Sequence, residues 1–415
     1  MAAALIPAAC RPATAELFIN PRAGRGGPAG EAVLSRAGFE QAETSIGYWP
    51  GHTPTPLLAL DGLADAVGVE RLWYKDEAGR FGLGSFKALG GAYAIARLIL
   101  AEVARLRPGE EPSIAALLAG RYRDVARTIT VCCATDGNHG RSVAWGARLF
   151  GCRAVVYIHA TVSEGRKNAI EAYGAEVRRT PGNYDESVRQ AAADAARHGW
   201  TVVSDTSYPG YTQIPKNVMY GYGVMVAEAF DQLDGQVPSH VFVQGGVGGL
   251  AAAVAMQCRY RFGDERPRLV IVEPENAACL LASARVGRPT AIEGDLETVM
   301  AGLSCGEPSL IAWQVLDGLA DGFMTVPDHA ALAVMRLLAD GVGGDASIVA
   351  GESAVAGLAG AIAVAAVPEF AARLGLGPDS RVLVFGTEGA TDPELYAEIV
   401  GRPAKLVRAA GQGGR

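Results

Sequence analysis

None of the seven cysteines in this 415-residue sequence forms a Cys-x-x-Cys pair, the charge balance has no basic excess, and no internal repeat is evident. The cysteine spacing excludes a zinc site or a disulfide framework and points to a cytosolic protein. A formal net charge of -7 offers no footing for nucleic acid or an acidic membrane surface, so small molecules are the expected partners. The most apolar stretch, Ala354 to Val367, is too short to span a bilayer and, being rich in Ala and Gly, predicts a buried helix. The opening Met1-Ala2-Ala3-Ala4-Leu5-Ile6-Pro7 lacks a basic region, and Pro7 and Pro12 interrupt its apolar run; a signal peptide is not expected.

What is present is an ordinary globular composition, 49% hydrophobic and 20% charged, long enough for two domains. Apolar, β-branched runs alternate with helical patterns. The strand candidates are Arg71 to Lys75, Thr128 to Ala134, Ala154 to Ile158, Glu176 to Arg179, Thr201 to Ser204, His240 to Gln244, Leu269 to Glu273 and Arg381 to Phe385. Helices are expected over Gly140 to Phe150, Ser163 to Tyr173, Tyr184 to His198, Gly249 to Tyr260 and Ala330 to Ala339. This order predicts an α/β protein with mostly parallel sheets, in which ligands bind beyond the carboxyl ends of strands. The Pro- and Gly-bearing stretch Arg105 to Arg123 reads as a surface insertion or linker. Cys132 and Cys133 fall in an apolar run and read as core residues. Cys279 and Cys305 lie near segments discussed below and are either free thiols or a redox-sensitive pair.

Three strand-to-helix turns carry chemistry. In Gly84-Ser85-Phe86-Lys87-Ala88-Leu89, Ser85 reads as an N-cap, which puts Lys87 in the first helical turn where the macrodipole disfavours a cation. The expected result is a lowered pKa and a nucleophilic amine; the plain alternative is a lysine whose long stem carries its charge to solvent. In Ala134-Thr135-Asp136-Gly137-Asn138-His139-Gly140, backbone amides gather at a helix start and suit a carboxylate ligand, with Thr135 and Asn138 adding hydrogen bonds. Asp136 there is either an acid-base group raised by a bound anion or a helix cap. In Gln244-Gly245-Gly246-Val247-Gly248-Gly249, four glycines let successive amides approach a phosphate. The turn lacks a P-loop ending, but Gly246-x-Gly248-x-x-Ala251 followed by Glu273 also fits a relaxed dinucleotide fingerprint.

A Schiff-base lysine, a carboxylate cradle and a phosphate cradle are what pyridoxal 5'-phosphate and an amino acid require. Thr53-Pro54-Thr55-Pro56-Leu57, Lys75-Asp76-Glu77, Gly84-Ser85-Phe86-Lys87, Gly137-Asn138-His139-Gly140 and Gly245-Gly246-Val247-Gly248-Gly249 resemble, in order, the fold type II pyridoxal phosphate enzymes of the tryptophan synthase β-like group. Arg80-Phe81-Gly82-Leu83, Ala134-Thr135-Asp136-Gly137-Asn138-His139-Gly140-Arg141, Asp205-Thr206 with Gly210-Tyr211, Met300-Ala301-Gly302-Leu303-Ser304-Cys305-Gly306-Glu307-Pro308 and Gly386-Thr387-Glu388-Gly389-Ala390-Thr391-Asp392-Pro393 are similar, within that group, to the diaminopropionate ammonia-lyase family.

The resemblance implies two three-layer α/β domains, a larger cofactor-binding one of residues 1–90 and 216–415 and a smaller substrate-side one of residues 91–215, in a homodimer. It implies that Lys87 carries the cofactor beside Phe86, that Gly245, Gly246, Val247, Gly248 and Gly249 hold its phosphate, that Asn138 bonds its phenolic oxygen and that Thr387 faces its pyridine nitrogen. Thr135, Asp136, Gly137, His139 and Asp205 would meet the substrate, with Lys87, Asp136 and Asp205 catalytic and no metal required. Two carboxylates, Asp136 and Asp205, would suit the second ammonium of 2,3-diaminopropionate and help it leave as ammonia. Asp205 has a plain alternative role as cap of the next helix, and Glu307 and Tyr211 would be pocket walls. The implied reaction is α,β-elimination to pyruvate and two ammonia. The rivals are a serine or threonine dehydratase or a β-replacement synthase of the same fold and, from another class, a nucleotide-binding oxidoreductase.

Overall fold

The computed structural model describes residues 6–12, 14–24, 27–135 and 137–412. Its strands in chain order are β1 (Leu17–Ile19), β2 (Leu57–Ala59), β3 (Arg71–Asp76), β4 (Thr130–Ala134), β5 (Arg153–Ile158), β6 (Glu176–Arg179), β7 (Thr201–Val202), β8 (His240–Gln244), β9 (Arg268–Pro274), β10 (Gly322–Val326) and β11 (Arg381–Gly386). Two compact units emerge: Met1–Ser35, Pro54–Ser85 and Met225–Arg415 form the larger, Arg36–Thr53 and Phe86–Val224 the smaller. This differs from a division at residues 90 and 216. Residues 36–53 join the smaller unit because aromatic side chains anchor them there, Phe39 edge-on to Tyr220 at 5.1 Å and Trp49 edge-on to Trp145 and Phe150 at 5.7 Å each.

The larger unit is built on a seven-stranded sheet ordered β1-β10-β9-β8-β11-β3-β2. Its five inner strands run parallel, while β1 and β2 pair antiparallel at the two edges. Every residue of β8 and β10 is buried, as both faces of a covered parallel sheet require. The expected buried helix is present as Ala356–Ala366, packed on the strands β8 to β11 with Ala356 to Val364 all buried. Among the described residues no single helix is long and apolar enough to cross a membrane.

Inside this unit the Thr55 and Lys75-Asp76-Glu77 segments serve a buried ion network. Lys75 Nζ donates to Thr55 O (2.7 Å), Gln232 Oε1 (2.9 Å) and Glu228 Oε2 (3.0 Å), which uses all three of its protons. Arg80 donates to both oxygens of Glu77 (Nε–Oε2 2.7 Å, Nη2–Oε1 2.8 Å) and both of Glu228 (Nη1–Oε1 2.9 Å, Nη2–Oε2 2.5 Å). Two cations balance two anions, so no uncompensated charge is left in a site where none of the four is more than 9% exposed.

The smaller unit carries a four-stranded, wholly parallel sheet ordered β6-β5-β4-β7. The helix Lys87–Leu106 packs along Asn138–Phe150, and Tyr184–His198 covers β4 and β5. The stretch 105–123 is not a linker. Ser113 caps a helix, Ile114–Leu118, by accepting from Ala116 N at 3.2 Å; Leu117 and Tyr122 are buried, and Arg107 pairs with Asp124 at 2.6 Å. Its Pro and Gly residues shape turns between packed pieces.

Candidate active site

The residues singled out in the sequence fall in both units, and each group is described within its own. In the smaller unit the helix begins at Lys87 itself, with Phe86 in the N-cap position and no side chain capping it. Ser85 instead forms an isolated β-bridge with Glu388. Ser142 Oγ donates to the Lys87 carbonyl at 2.7 Å and fixes the backbone of the first turn.

Lys87 Nζ donates to Asp205 Oδ2 at 2.6 Å, and about a fifth of each side chain reaches solvent (21% and 22%). Asp205 lies just beyond β7, and the following helix, Gln213–Asp231, begins eight residues later; the aspartate faces the lysine rather than capping that helix. Desolvation is the largest influence on both groups, lowering the lysine pKa and raising the aspartate's. Their mutual attraction outweighs it, so Lys87 is raised and Asp205 is depressed well below the usual carboxylate range. The lowered lysine pKa expected from the helix dipole is therefore corrected: a carboxylate in contact overrides partial charges of the first turn. The Phe86 and Tyr222 rings each lie with their centroids 5.5 Å from Nζ. The loop bearing Asp205 is held by Tyr211, whose hydroxyl donates to Val202 O (2.9 Å) and accepts from Ser204 N (3.0 Å). Tyr211 thus acts as a clasp for this loop, and Glu307, in the larger unit, is exposed.

Beyond β4, Thr135 Oγ1 accepts from Gly137 N (3.0 Å) and Gly140 N (3.1 Å). Its lone pairs are engaged in shaping the turn, which leaves the hydroxyl proton as the group available to a ligand. Asp136 lies outside the described residues. Asn138 opens the helix Asn138–Phe150. His139 sits behind the turn with Nε2 at 2.7 Å from Val203 O, which fixes that nitrogen as the donor of a neutral ring, and Nδ1 is buried without a hydrogen-bond partner among the described residues. Burial lowers the His139 pKa, and it does the same to His240, bonded at Nε2 to Leu374 O at 2.9 Å.

Both histidines give a testable pH dependence. Below the unfolded value, about 6.5, the unfolded chain binds protons that the folded chain refuses. Stability therefore falls as the pH is lowered, by at most about 1.4 kcal/mol per unit for each histidine, until the folded pKa is crossed. Urea unfolding at pH 7, 6 and 5 is expected to show that decline, and His139→Gln to flatten part of it. An identical slope in the variant would remove His139 from the account.

In the larger unit, β8 runs into Gly245, where an added Cβ would lie 2.7 Å from Ile271 Cγ2 and 2.9 Å from Glu273 Cγ; Gly248 has φ +94°, open to glycine but not to other residues. The helix Gly249–Phe262 that follows has no side-chain cap, so its first amides point out of the turn unclaimed by a cap. Two thiols flank this turn: Cys279 Sγ is 3.7 Å from Gly246 O, and a Cβ on Gly246 would meet Cys305 Sγ at 3.3 Å; neither cysteine is in a disulfide. Glu273, buried and pushed up to about 8 by desolvation, accepts the amides of Leu280 and Leu281 at 2.8 Å each. It is committed to that helix start and not disposed to take a ribose, which argues against a dinucleotide site.

Beyond β11, Thr387 Oγ1 accepts from Gln244 Nε2 at 2.7 Å, and Gln244 also donates to Phe385 O at 2.9 Å. Gln244 escapes sequence reasoning because its partner is 143 residues away; its place at the last strand residue before the glycine run is the signal that marks it.

Residues 48–388 match the family described as pyridoxal-phosphate dependent enzyme. The chain belongs to that family. Among relatives of this pyridoxal-phosphate dependent enzyme, diaminopropionate ammonia-lyase of Escherichia coli K12 is 41% identical over 84% of this chain and 88% of its own length, and that of Salmonella typhimurium LT2 is 37% identical over 85% and 89%. The crystal structure of the holo E. coli protein matches with a TM-score of 0.84 at 36% identity, covering 93% of this chain and 96% of that one; the E. coli protein has also been solved with an aminoacrylate-PLP azomethine reaction intermediate.

The residues present fit the family's cofactor. The turn at Gly245–Gly249 leaves no room for a Cβ at Gly245 and offers uncapped helix amides to a phosphate. With its acceptor side engaged by Gln244, the Thr387 hydroxyl has a proton to give to an unprotonated ring nitrogen.

Proposed function

We propose that this enzyme eliminates the β-amino group of 2,3-diaminopropionate, giving pyruvate and two ammonia. Pyridoxal phosphate, when bound, supplies an electron sink for the charge left at Cα. The chain's own residues do the rest. Lys87, beside Phe86, is the amine that anchors the cofactor; Gly245, Gly246, Val247, Gly248 and Gly249 take its phosphate, Asn138 its phenolic oxygen and Thr387 its ring nitrogen. Thr135, Gly137 and His139 form the cradle for the substrate carboxylate. Lys87 and Asp136 serve as bases on opposite faces of Cα. Asp205 exchanges a proton with Lys87 and holds the substrate's second ammonium, so that the group departs as neutral ammonia rather than an amide ion. The released enamine takes up water to give pyruvate and the second ammonia. From the family resemblance we assign a homodimer, and from the cysteine usage a cytoplasmic setting.

The observation that supports this reading best is the Asp205 carboxylate held 2.6 Å from Lys87 Nζ. A hydroxyl leaving group has no need of an anionic pocket. The test is pyruvate or 2-oxobutyrate release from diaminopropionate, serine and threonine. Diaminopropionate is expected to be much the best substrate, and Asp205→Asn is expected to cost about 10²–10⁴-fold on it while costing serine less. Good turnover of serine with none of diaminopropionate would overturn the assignment in favour of a dehydratase.

A further inference from the structure

The Lys87 nitrogen has a second neighbour that no role above accounts for. Tyr222 lies on the helix Gln213–Asp231, 1% exposed, its ring centroid 5.5 Å from Nζ and 4.5 Å from the Phe86 ring. Its hydroxyl is buried with no hydrogen-bond partner among the described residues. A buried hydroxyl left unpaired is costly to the fold, so its presence calls for a reason.

The surrounding sequence makes room for it. A Cβ on Gly90, one turn beyond Lys87, would lie 2.4 Å from Tyr222 Cε1, and a Cβ on Gly221 would lie 2.2 Å from the Leu89 carbonyl oxygen. Two glycines, one on each helix, let the backbones approach until the ring stands beside the lysine. Phenylalanine would fill the same space; what tyrosine adds is the hydroxyl.

We propose that Tyr222 is a positioning residue for Lys87, its hydroxyl holding the lysine nitrogen in both protonation states. Asp205, as a carboxylate, only accepts hydrogen bonds, so it secures the ammonium but has no proton to offer the lone pair of a neutral amine. A tyrosine hydroxyl accepts from the ammonium and donates to the amine lone pair. When Asp205 turns to the substrate's ammonium, Tyr222 keeps Nζ from swinging away. The hydroxyl is near enough to Lys87 for the ammonium to oppose the upward push that burial exerts on the tyrosine pKa. This role rests on Lys87 being the reactive amine.

The test reads the amine directly in the cofactor-free protein, so it can fail while the substrate assignment stands. Trace labelling with acetic anhydride, located by mass spectrometry, measures how much of Lys87 is neutral. In Tyr222→Phe the hydroxyl no longer stabilises the ammonium, and Lys87 labelling at pH 8 is expected to rise roughly threefold to tenfold. The melting temperature is expected to stay near the parent's, since the ring still fills its space and Asp205 still holds the ammonium. With cofactor and substrate restored, kcat is expected to fall with KM little changed. Gly90→Ala, which displaces the ring but keeps the hydroxyl, is expected to raise labelling in the same direction. Unchanged Lys87 labelling in Tyr222→Phe would overturn the proposal, as would a variant that melts well below the parent, which would make the hydroxyl a structural group.

Discussion

Lys87→Ala is expected to lose the visible absorbance of the bound cofactor and to lower kcat/KM for ammonia release by about 10²–10⁴-fold or more, the range associated with removing a base or nucleophile placed at the reacting atom. The alanine variant has a second effect that needs separating from the first. It strips Asp205 of its partner at 2.6 Å, leaving a carboxylate with much of its surface removed from water and its pKa drifting upward. Part of any activity loss would then reflect a disturbed loop between β7 and Gly210. Lys87→Arg separates the two, because arginine keeps the charge beside Asp205 but does not condense with a carbonyl. Arginine at 87 is expected to melt near the parent and still lack the absorbance. Borohydride reduction of the parent protein followed by peptide mapping should leave the cofactor on the Lys87 peptide; finding it on another lysine, or keeping the visible band in Lys87→Ala, would sink the assignment.

Glu228→Ala is expected to be the most destabilising of the simple side-chain truncations, at about 3–5 kcal/mol in urea unfolding. The carboxylate is addressed by Arg80 through two nitrogens, by Lys75 at 3.0 Å and by the Thr55 amide at 3.3 Å. Removing it leaves two buried cations, Lys75 and Arg80, facing one anion, Glu77, with little of their surface open to solvent. Glu228→Gln keeps the shape but gives up the charge, and its amide nitrogen would confront donors; a loss only slightly smaller is expected. An effect within about 0.5 kcal/mol of zero, typical of an exposed pair, would mean that the network relaxes or hydrates freely.

Much of the α/β alternation was legible in the sequence because buried parallel strands write themselves as unbroken apolar runs, as His240–Gln244 and Ala154–Ile158 do. β1 and β2 escape because three residues at an antiparallel edge give no period to read, and β10 because Gly322–Val326 follows the helix Leu310–Leu319 after only Ala320 and Asp321. At the candidate site, the turns at 135–140 and 245–249 declare themselves through glycine and polar residues beside strand ends. Pairings across long separations do not. Lys87 and Asp205 are 118 residues apart, Lys75 and Glu228 are 153 apart, and no local pattern links them. The Thr55 and Lys75-Asp76-Glu77 segments stood out only through family likeness, and a packed ion network is what gives them their meaning. Tyr222 drew no notice because a tyrosine among Tyr220, Gly221 and Gly223 looks like any helix residue until its neighbour at Gly90 is known.

The contact between Gly90 and the Tyr222 ring also constrains how this sequence can drift. A larger residue at 90 is blocked while the ring stands 2.4 Å from where its Cβ would lie. Shrinking residue 222 first would open that space, at the loss of the hydroxyl next to Lys87. Substitutions at these two positions therefore have a permitted order, and a lineage that has passed through a small side chain at 222 can fill position 90 and close the route back to tyrosine.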